Sequence, residues 1–298
     1  MLGWRLTISA ILVPSLLALF WWDSGLGSGA PVLLLFCLFL TIRGSLEMAH
    51  LLRTRHMKPS FELTAACNVL VVLAAWMHTR LPAVPAGLYG LLVSLGLVAA
   101  ALAASFTVLM MYEAARYRKP GQSMESLGAN LISVMYAGGL LAVIAQFRWF
   151  PKASIGYFAI GSVIIAAKSG DIVAYTFGRL WGKRKMVPRL SPGKTWMGGL
   201  GAIVGSCLGG WLWLTFGGQL FDASPKASTL ACVLGYSATM GVVGLIGDLC
   251  ESLIKRDAEK KDSAILMPGF GGLLDLLDSP LFAGPFALAW WALWPPAV

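Results

Sequence analysis

Apolar stretches about as long as a bilayer-spanning helix, roughly 20 residues, recur from one end of this chain to the other. No polar interval between them is long enough to build a separate soluble domain. Spans are expected near residues 6–22, 31–52, 66–82, 85–112, 125–146, 153–178, 198–217, 228–253 and 279–297. The chain has 298 residues, 57% hydrophobic and only 12% charged, against about 25% charged in soluble domains. The expected fold is therefore all-α, a polytopic integral membrane protein with about nine transmembrane helices. Met1–Arg5 and the apolar run behind it have the outline of a signal peptide, but Trp21, Trp22 and Asp23 precede no small-residue cleavage site. The first span is read as retained.

Lysine and arginine fix the expected orientation. With the N-terminus cytoplasmic, seventeen of the 23 basic side chains fall in inner segments and four, Arg80, Arg148, Lys152 and Lys226, fall outside. The C-terminus is then outside, and the protein is expected to be multi-pass in the cell's inner membrane. The net charge of +9 lies mainly on the cytoplasmic face, where it meets anionic lipid and anionic soluble substrates. No nucleic-acid recognition module is present, so nucleic acid is not an expected partner. Cys37, Cys67, Cys207, Cys232 and Cys250 all lie in apolar spans and read as small packing residues. His50, His56 and His78 share no metal-ligand spacing.

A charge inside a span costs about 2.5–3.5 kcal/mol at a helix centre, so each one needs a partner or a function. Arg43 and Glu47, four residues apart, read as a structural ion pair. Residues 168–279 hold Lys168, Asp171, Asp248, Glu251, Asp262, Asp275 and Asp278 with most of the basic loop residues. The division expected within one integrated membrane domain is a scaffold of transmembrane helices over residues 1–150 and a catalytic region over 151–298.

Asp248, Ser252 and Lys255 follow one another at i, i+4 and i+7, so they share one helical face at the inner surface. After Pro268 and Gly269 break the chain, Gly271 and Gly272 permit close backbone approach, and Asp275 and Asp278 stand one turn apart at the start of the last span. Carboxylates without histidine or cysteine neighbours suit a hard cation such as magnesium, shared with substrate phosphates. Ordinary helix-end charge is the competing reading, strongest for Asp278 and weakest for Asp248. A second cluster covers residues 168–199. Asp171, Tyr175 and Gly178 continue one face of the sixth span, and the run SPGKTW offers the Ser191 and Thr195 hydroxyls, the Lys194 ammonium and the exposed backbone of Gly193. The glycine spacing of a P-loop is absent.

Residues 252–278 closely resemble the signature of the phosphatidate cytidylyltransferase (CDP-diacylglycerol synthase) family, S-x-x-K-R-x(4)-K-D followed by P-x-H-G-G-x-x-D-R-x-D. Ser252, Lys255, Arg256, Lys261, Asp262, Pro268, Gly271, Gly272, Asp275 and Asp278 match at the right intervals, and GDLCES and SPGKTW are similar to the family's preceding regions. Phe270 replaces the pattern's His, Leu276 its Arg, and Met197 a Glu expected after KTW.

The resemblance implies condensation of CTP with phosphatidic acid to CDP-diacylglycerol and pyrophosphate, in phospholipid biosynthesis, with one or two Mg2+ ions as cofactor and the active site facing the cytoplasm. It implies a metal site at Asp248 and Asp275, with Asp171 or Asp278 as a further ligand or supporting neighbour. Lys194, Lys255, Arg256, Lys261 and Asp262 are the expected catalytic groups, and Ser191, Lys194, Thr195, Ser252, Gly271 and Gly272 the expected substrate-binding positions. Lys183, Arg184 and Lys185 read as a surface for anionic lipid. The expected partners are CTP, phosphatidic acid and membrane lipid, with a homodimer allowed. Three alternatives stand beside this reading: another CTP-dependent lipid enzyme (polyprenol kinase or archaeol-type cytidylyltransferase), a transporter using Asp171 and Asp248 as ion ligands, and a non-catalytic membrane protein.

Overall fold

The computed structural model describes residues 2–27, 29–53, 57–77, 88–118, 120, 122–150, 153–221, 228–264 and 271–297. In chain order its helices are α1 (Leu2–Ser24), α2 (Pro31–Leu52), α3 (Phe61–Met77), α4 (Leu88–Ala115), α5 (Ser123–Val134), α6 (Leu140–Ala145), α7 (Ala153–Trp181), α8 (Trp196–Phe216), α9 (Leu230–Asp257) and α10 (Leu273–Leu293). A π-helical turn, Met135–Gly139, joins α5 to α6, so that Ser123–Trp149 forms one membrane-length rod. Among the described residues, seven helices are long and apolar enough to cross a membrane. The helices at the other two expected spans are α1 and the shorter α3, of 17 residues. Among the described residues the strands form one short antiparallel hairpin, β1 (Lys185–Val187) and β2 (Ser191–Thr195), which the sequence suggested only as a turn. Pro188 and Pro192 keep the helix from continuing through this stretch. The signature positions Pro268 and Phe270 lie outside the described residues.

The chain divides into two compact units: Met1–Trp149 with Asp257–Leu276, and Phe150–Arg256 with Leu277–Val298. Within the first, Glu47 of α2 explains why a segment so late in the chain belongs with the early helices. It forms the expected ion pair with Arg43, at 3.1 Å. Its carboxylate also accepts hydrogen bonds from Leu273 N and Leu274 N, each at 3.0 Å, and from Ser263 Oγ at 3.0 Å. The first N–H groups of a helix have no partner within it, and a buried carboxylate supplies one along with favourable charge for the dipole. Asp275 completes the lock, its Oδ2 accepting from Ser263 N at 2.8 Å, Ser263 Oγ at 2.8 Å and Gly272 N at 2.7 Å. Gly271 has a φ of +87°, and a Cβ there would fall 2.4 Å from Asp275 Oδ2. A Cβ on Gly272 would fall 2.1 Å from Ser263 Oγ and 2.5 Å from Glu47 Oε2. Both glycines are therefore required by this lock.

Within the second unit, α7 and α8 pack along small residues. Gly198, Gly201, Gly205 and Gly209 fall on one face of α8. Cβ atoms added there would lie 3.1 Å from Ala174 O, 2.8 Å from Val173 O, 2.5 Å from Ser169 O and 2.1 Å from Ser169 Oγ. Ser206 Oγ, beside this seam, donates to Ala166 O at 2.8 Å. Since lipid tails are as apolar as the helices, contact at backbone distance and buried hydrogen bonds hold such a pair together. Further along, Trp213 lies against Gly161, stacks on Phe158 and donates its Nε1 hydrogen to Phe158 O at 2.9 Å.

Two stability predictions follow from these contacts. Gly205→Val forces side-chain atoms into the α7 backbone and lowers stability by about 1–3 kcal/mol, whereas Val204→Leu, at a position 45% exposed, leaves it unchanged. Glu47→Leu strands the Leu273 and Leu274 N–H groups and costs about 1–3 kcal/mol. Thermal unfolding midpoints in detergent check both, and an unchanged midpoint for either damaging variant refutes its assignment.

Candidate functional site

Small residues also bring the charged side chains of the second unit together. Gly244 and Gly247 lie one turn apart on α9. A Cβ on Gly244 would sit 3.4 Å from Ser279 Cβ and 3.8 Å from Ala167 Cβ. One on Gly247 would sit 2.9 Å from Asp278 O and 2.7 Å from Phe282 Cβ. The α9 backbone thus runs against α10 at the level of Asp278, with Asp248 and Glu251 on the adjoining turns of α9. Carboxylate oxygens of Asp248, Glu251 and Asp278 all lie within 4.8 Å of one another.

Each of these acids meets a lysine. Lys194 Nζ is 2.8 Å from Asp248 Oδ2 and donates to Leu245 O at 3.3 Å. Lys255 Nζ is 2.6 Å from Glu251 Oε2. Lys168 Nζ spans two carboxylates, Asp171 Oδ2 at 2.9 Å and Asp278 Oδ1 at 3.4 Å. Ser279 fastens the latter pair, its hydroxyl 3.2 Å from Asp171 Oδ1 and 3.2 Å from Asp278 Oδ1 and its N–H donating to Asp278 Oδ1 at 2.6 Å. Ser252 Oγ is 3.5 Å from Asp248 Oδ1. Glu251 is almost fully buried, while the Asp248 and Asp171 side chains keep 35% and 36% exposure. The cluster is thus partly exposed, through Asp171 and Asp248.

The hairpin holds Lys194 in reach of α9. Trp196 N donates to Arg184 O at 3.1 Å, and the Thr195 hydroxyl caps α8 by accepting from Gly198 N at 3.1 Å. Arg256 Nε donates to Leu190 O at 3.3 Å, tying the hairpin turn to the end of α9.

The site residues expected from the sequence are thus distributed as follows. The second unit gathers Asp171, Lys194, Asp248, Ser252, Lys255 and Asp278, with Ser191, Thr195 and Arg256 on or beside the hairpin. Ser191 is half-buried, and Thr195, 3% exposed, uses its oxygen as a helix cap. Lys261, Asp262, Gly271, Gly272 and Asp275 belong to the first unit, where Lys261 and Asp262 are exposed and the other three take part in the Glu47 lock. Sequence reasoning left Lys168, Glu251 and Ser279 without roles. The signal for the first two was present, since each is a charge inside an apolar span; a serine has no such signature. Leu276 and Met197, which replace polar family residues, are both half-buried.

Three carboxylates converging without histidine or cysteine form an oxygen donor set that fits a hard divalent cation such as Mg2+ or Mn2+. Lys194 and Lys255 beside them can bind a polyanion. The arrangement is suited to phosphoryl chemistry, in which positioning and charge neutralisation do most of the work.

The comparisons with known proteins agree with this chemistry. A phosphatidate cytidylyltransferase from Pseudomonas aeruginosa is 32% identical over 77% of this chain and 78% of its own length. One from Bacillus subtilis is 30% identical over 84% of this chain and 86% of its own length. One from Haemophilus influenzae is 34% identical over 44% of each chain, so the present chain spans less than half of that relative. The profile of the cytidylyltransferase family matches residues 4–294. With nearly its whole length inside that match, the chain belongs to the cytidylyltransferase family.

Proposed function

We propose that this protein condenses CTP with phosphatidic acid to give CDP-diacylglycerol and pyrophosphate. The observation that supports this reading most is the Asp248, Glu251 and Asp278 cluster flanked by Lys194 and Lys255, in a chain of the cytidylyltransferase family. A phosphate oxygen of the lipid attacks the α-phosphorus of CTP. The new P–O bond joins lipid and CMP moiety, the bond from the α-phosphorus to the bridging oxygen breaks, and pyrophosphate leaves with that oxygen. No covalent enzyme intermediate is needed.

A divalent cation, when bound, neutralises phosphate charge and lowers the cost of the incoming nucleophile's approach. Asp248 and Asp278 are assigned as its ligands, with Glu251 beside them and Asp171 supporting Asp278 through Lys168 and Ser279. Lys194 and Lys255 bind the triphosphate, and Ser252 orients Asp248. Ser191 lies on the hairpin and Arg256 is tied to its turn, whereas Lys261 and Asp262 belong to the first unit and their proposed catalytic part rests on the signature alone. Asp275, expected as a metal ligand, is assigned to holding the Gly271–Gly272 turn in shape, and the Thr195 hydroxyl to capping α8. Residues 1–150 serve mainly as scaffold. The protein is a multi-pass component of the cytoplasmic membrane, its basic loops and its reaction on the cytoplasmic side.

Purified protein in mixed micelles with radiolabelled CTP, phosphatidic acid and Mg2+ should form a cytidine-bearing lipid. A phosphorylated product lacking cytidine would show a kinase instead. Asp248→Asn and Asp278→Asn should each lower the rate by about 100-fold or more at unchanged thermal midpoint; near-normal rates for both refute the assignment. Chelation with EDTA should abolish turnover and added Mg2+ restore it, and activity that survives chelation removes the cation from the scheme.

A further inference from the structure

The charged cluster of the second unit has its own counter-ions. Four carboxylates, Asp171, Asp248, Glu251 and Asp278, are contacted by three ammonium groups, Lys168, Lys194 and Lys255, at 2.6–3.4 Å. Burying an acid in an apolar span without such a partner is far costlier than burying it paired. The same pairing sets each lysine against the ligands it would have to serve. A cation arriving alone at Asp248, Glu251 and Asp278 meets carboxylates already paired with ammonium groups, whose three positive charges offset all but one of the four negative ones. A triphosphate arriving alone meets lysines already neutralised and four negative charges close by.

We infer that Lys168, Lys194 and Lys255 are internal counter-ions whose pairing makes divalent cation and nucleotide bind as a coupled pair. When both arrive, Lys194 and Lys255 leave Asp248 and Glu251 for the phosphates, and the cation takes over the carboxylates. Lys194 sits on the hairpin strand and Lys255 in the last turns of α9, and both have long flexible stems able to make that change. Lys168 differs. It lies mid-helix in α7, held between two carboxylates that Ser279 also fastens, so it stays in place as a positioning residue. Its charge sets how strongly Asp278 attracts a cation. The inference gives roles to Lys168 and Glu251, which the family resemblance left without any. Its nucleotide half rests on the CTP reading above, whereas its cation half does not.

Mn2+ is the probe, with unbound ion counted by electron paramagnetic resonance on detergent-solubilised protein free of nucleotide and lipid. Lys194→Met and Lys168→Met should each bind Mn2+ about tenfold more tightly than the parent protein, since each removes a positive charge beside the ligands. Lys168→Arg keeps the charge and should return the parent affinity. If the lysines only brace the carboxylates, the sign reverses: both Met variants, at intact thermal midpoints, bind Mn2+ no better or more weakly, and the inference is overturned. Affinity for labelled CTP is then measured at a series of fixed free Mn2+ concentrations. The parent protein should gain about tenfold or more between zero and saturating Mn2+, and Lys194→Met should lose most of that gain. CTP binding that ignores Mn2+ overturns the coupling while leaving the proposed function intact. Absence of CTP binding at every Mn2+ concentration, with no cytidine-bearing lipid formed, overturns the proposed function and the nucleotide half together, and the Mn2+ arm still decides the cation half.

Discussion

Charge compensation in an apolar setting governs this structure. A carboxylate or ammonium group within a membrane-spanning helix loses its water, and the loss is recovered only through close partners. Each acid of the charged clusters described here has them. Glu47 has Arg43 and two backbone N–H groups, Asp171 and Asp278 share Lys168 and Ser279, Asp248 has Lys194, and Glu251 has Lys255. Some of these pairs are local to one helix, but those of Glu47 with Leu273 and Leu274, of Lys168 with Asp278 and of Lys194 with Asp248 join segments far apart in sequence and so decide which helices belong together. Glu47 draws a segment more than two hundred residues away into the first unit.

Such contacts require backbones to approach closely, and glycine and serine make that approach possible. The α8 stripe of Gly198, Gly201, Gly205 and Gly209 brings α7 alongside, and Gly244 and Gly247 bring α10 against α9. A larger residue at Gly247 would push α10 away at the level of Asp278 and open the distance between carboxylates that now lie within 4.8 Å. Packing and chemistry are therefore coupled through the same turns of helix. A rigid seam in hydrocarbon, where no hydrophobic force drives helices together, is what allows a cluster of charges to keep its geometry.

The sequence was most informative where one physical requirement dominates. Apolar runs announced the helices, because only a hydrogen-bonded backbone is tolerated in lipid. The i, i+4, i+7 spacing put Asp248, Ser252 and Lys255 on one face of α9, and Asp248 stood out as an acid in an apolar span. Tertiary contacts were not legible. The Arg43 to Glu47 ion pair was readable from its spacing, yet Glu47 as the cap of α10 depends on a partner 226 residues away. Gly271 and Gly272 suggested backbone approach to a substrate; the approach is to Ser263, Glu47 and Asp275. Thr195 belonged to a phosphate-like run by composition, but the helix beginning at Trp196 recruits its oxygen as a cap. Lys168 was visible as a buried charge, and only the fold shows that it bridges two carboxylates.

The partners of a carboxylate also separate two kinds of acid that a motif cannot distinguish. A backbone N–H is fixed by the helix or turn that carries it, so an oxygen that accepts from several is committed to the fold. Glu47 is of this kind through Leu273 and Leu274, and so is Asp275 through Gly272 and Ser263. An ammonium at the end of a flexible stem can be replaced by another cation at modest cost. Asp248 and Glu251 are of this second kind, paired through Lys194 and Lys255. Asp278 shares Oδ1 between the Ser279 N–H, which orients it, and Lys168, which neutralises it. Both kinds occur within one short signature, and that is the physical reason for proposing Asp278 rather than Asp275 as a metal ligand: Asp275 holds a turn together through backbone N–H groups, whereas Asp278 keeps a carboxylate oxygen within 4.8 Å of Asp248 and Glu251.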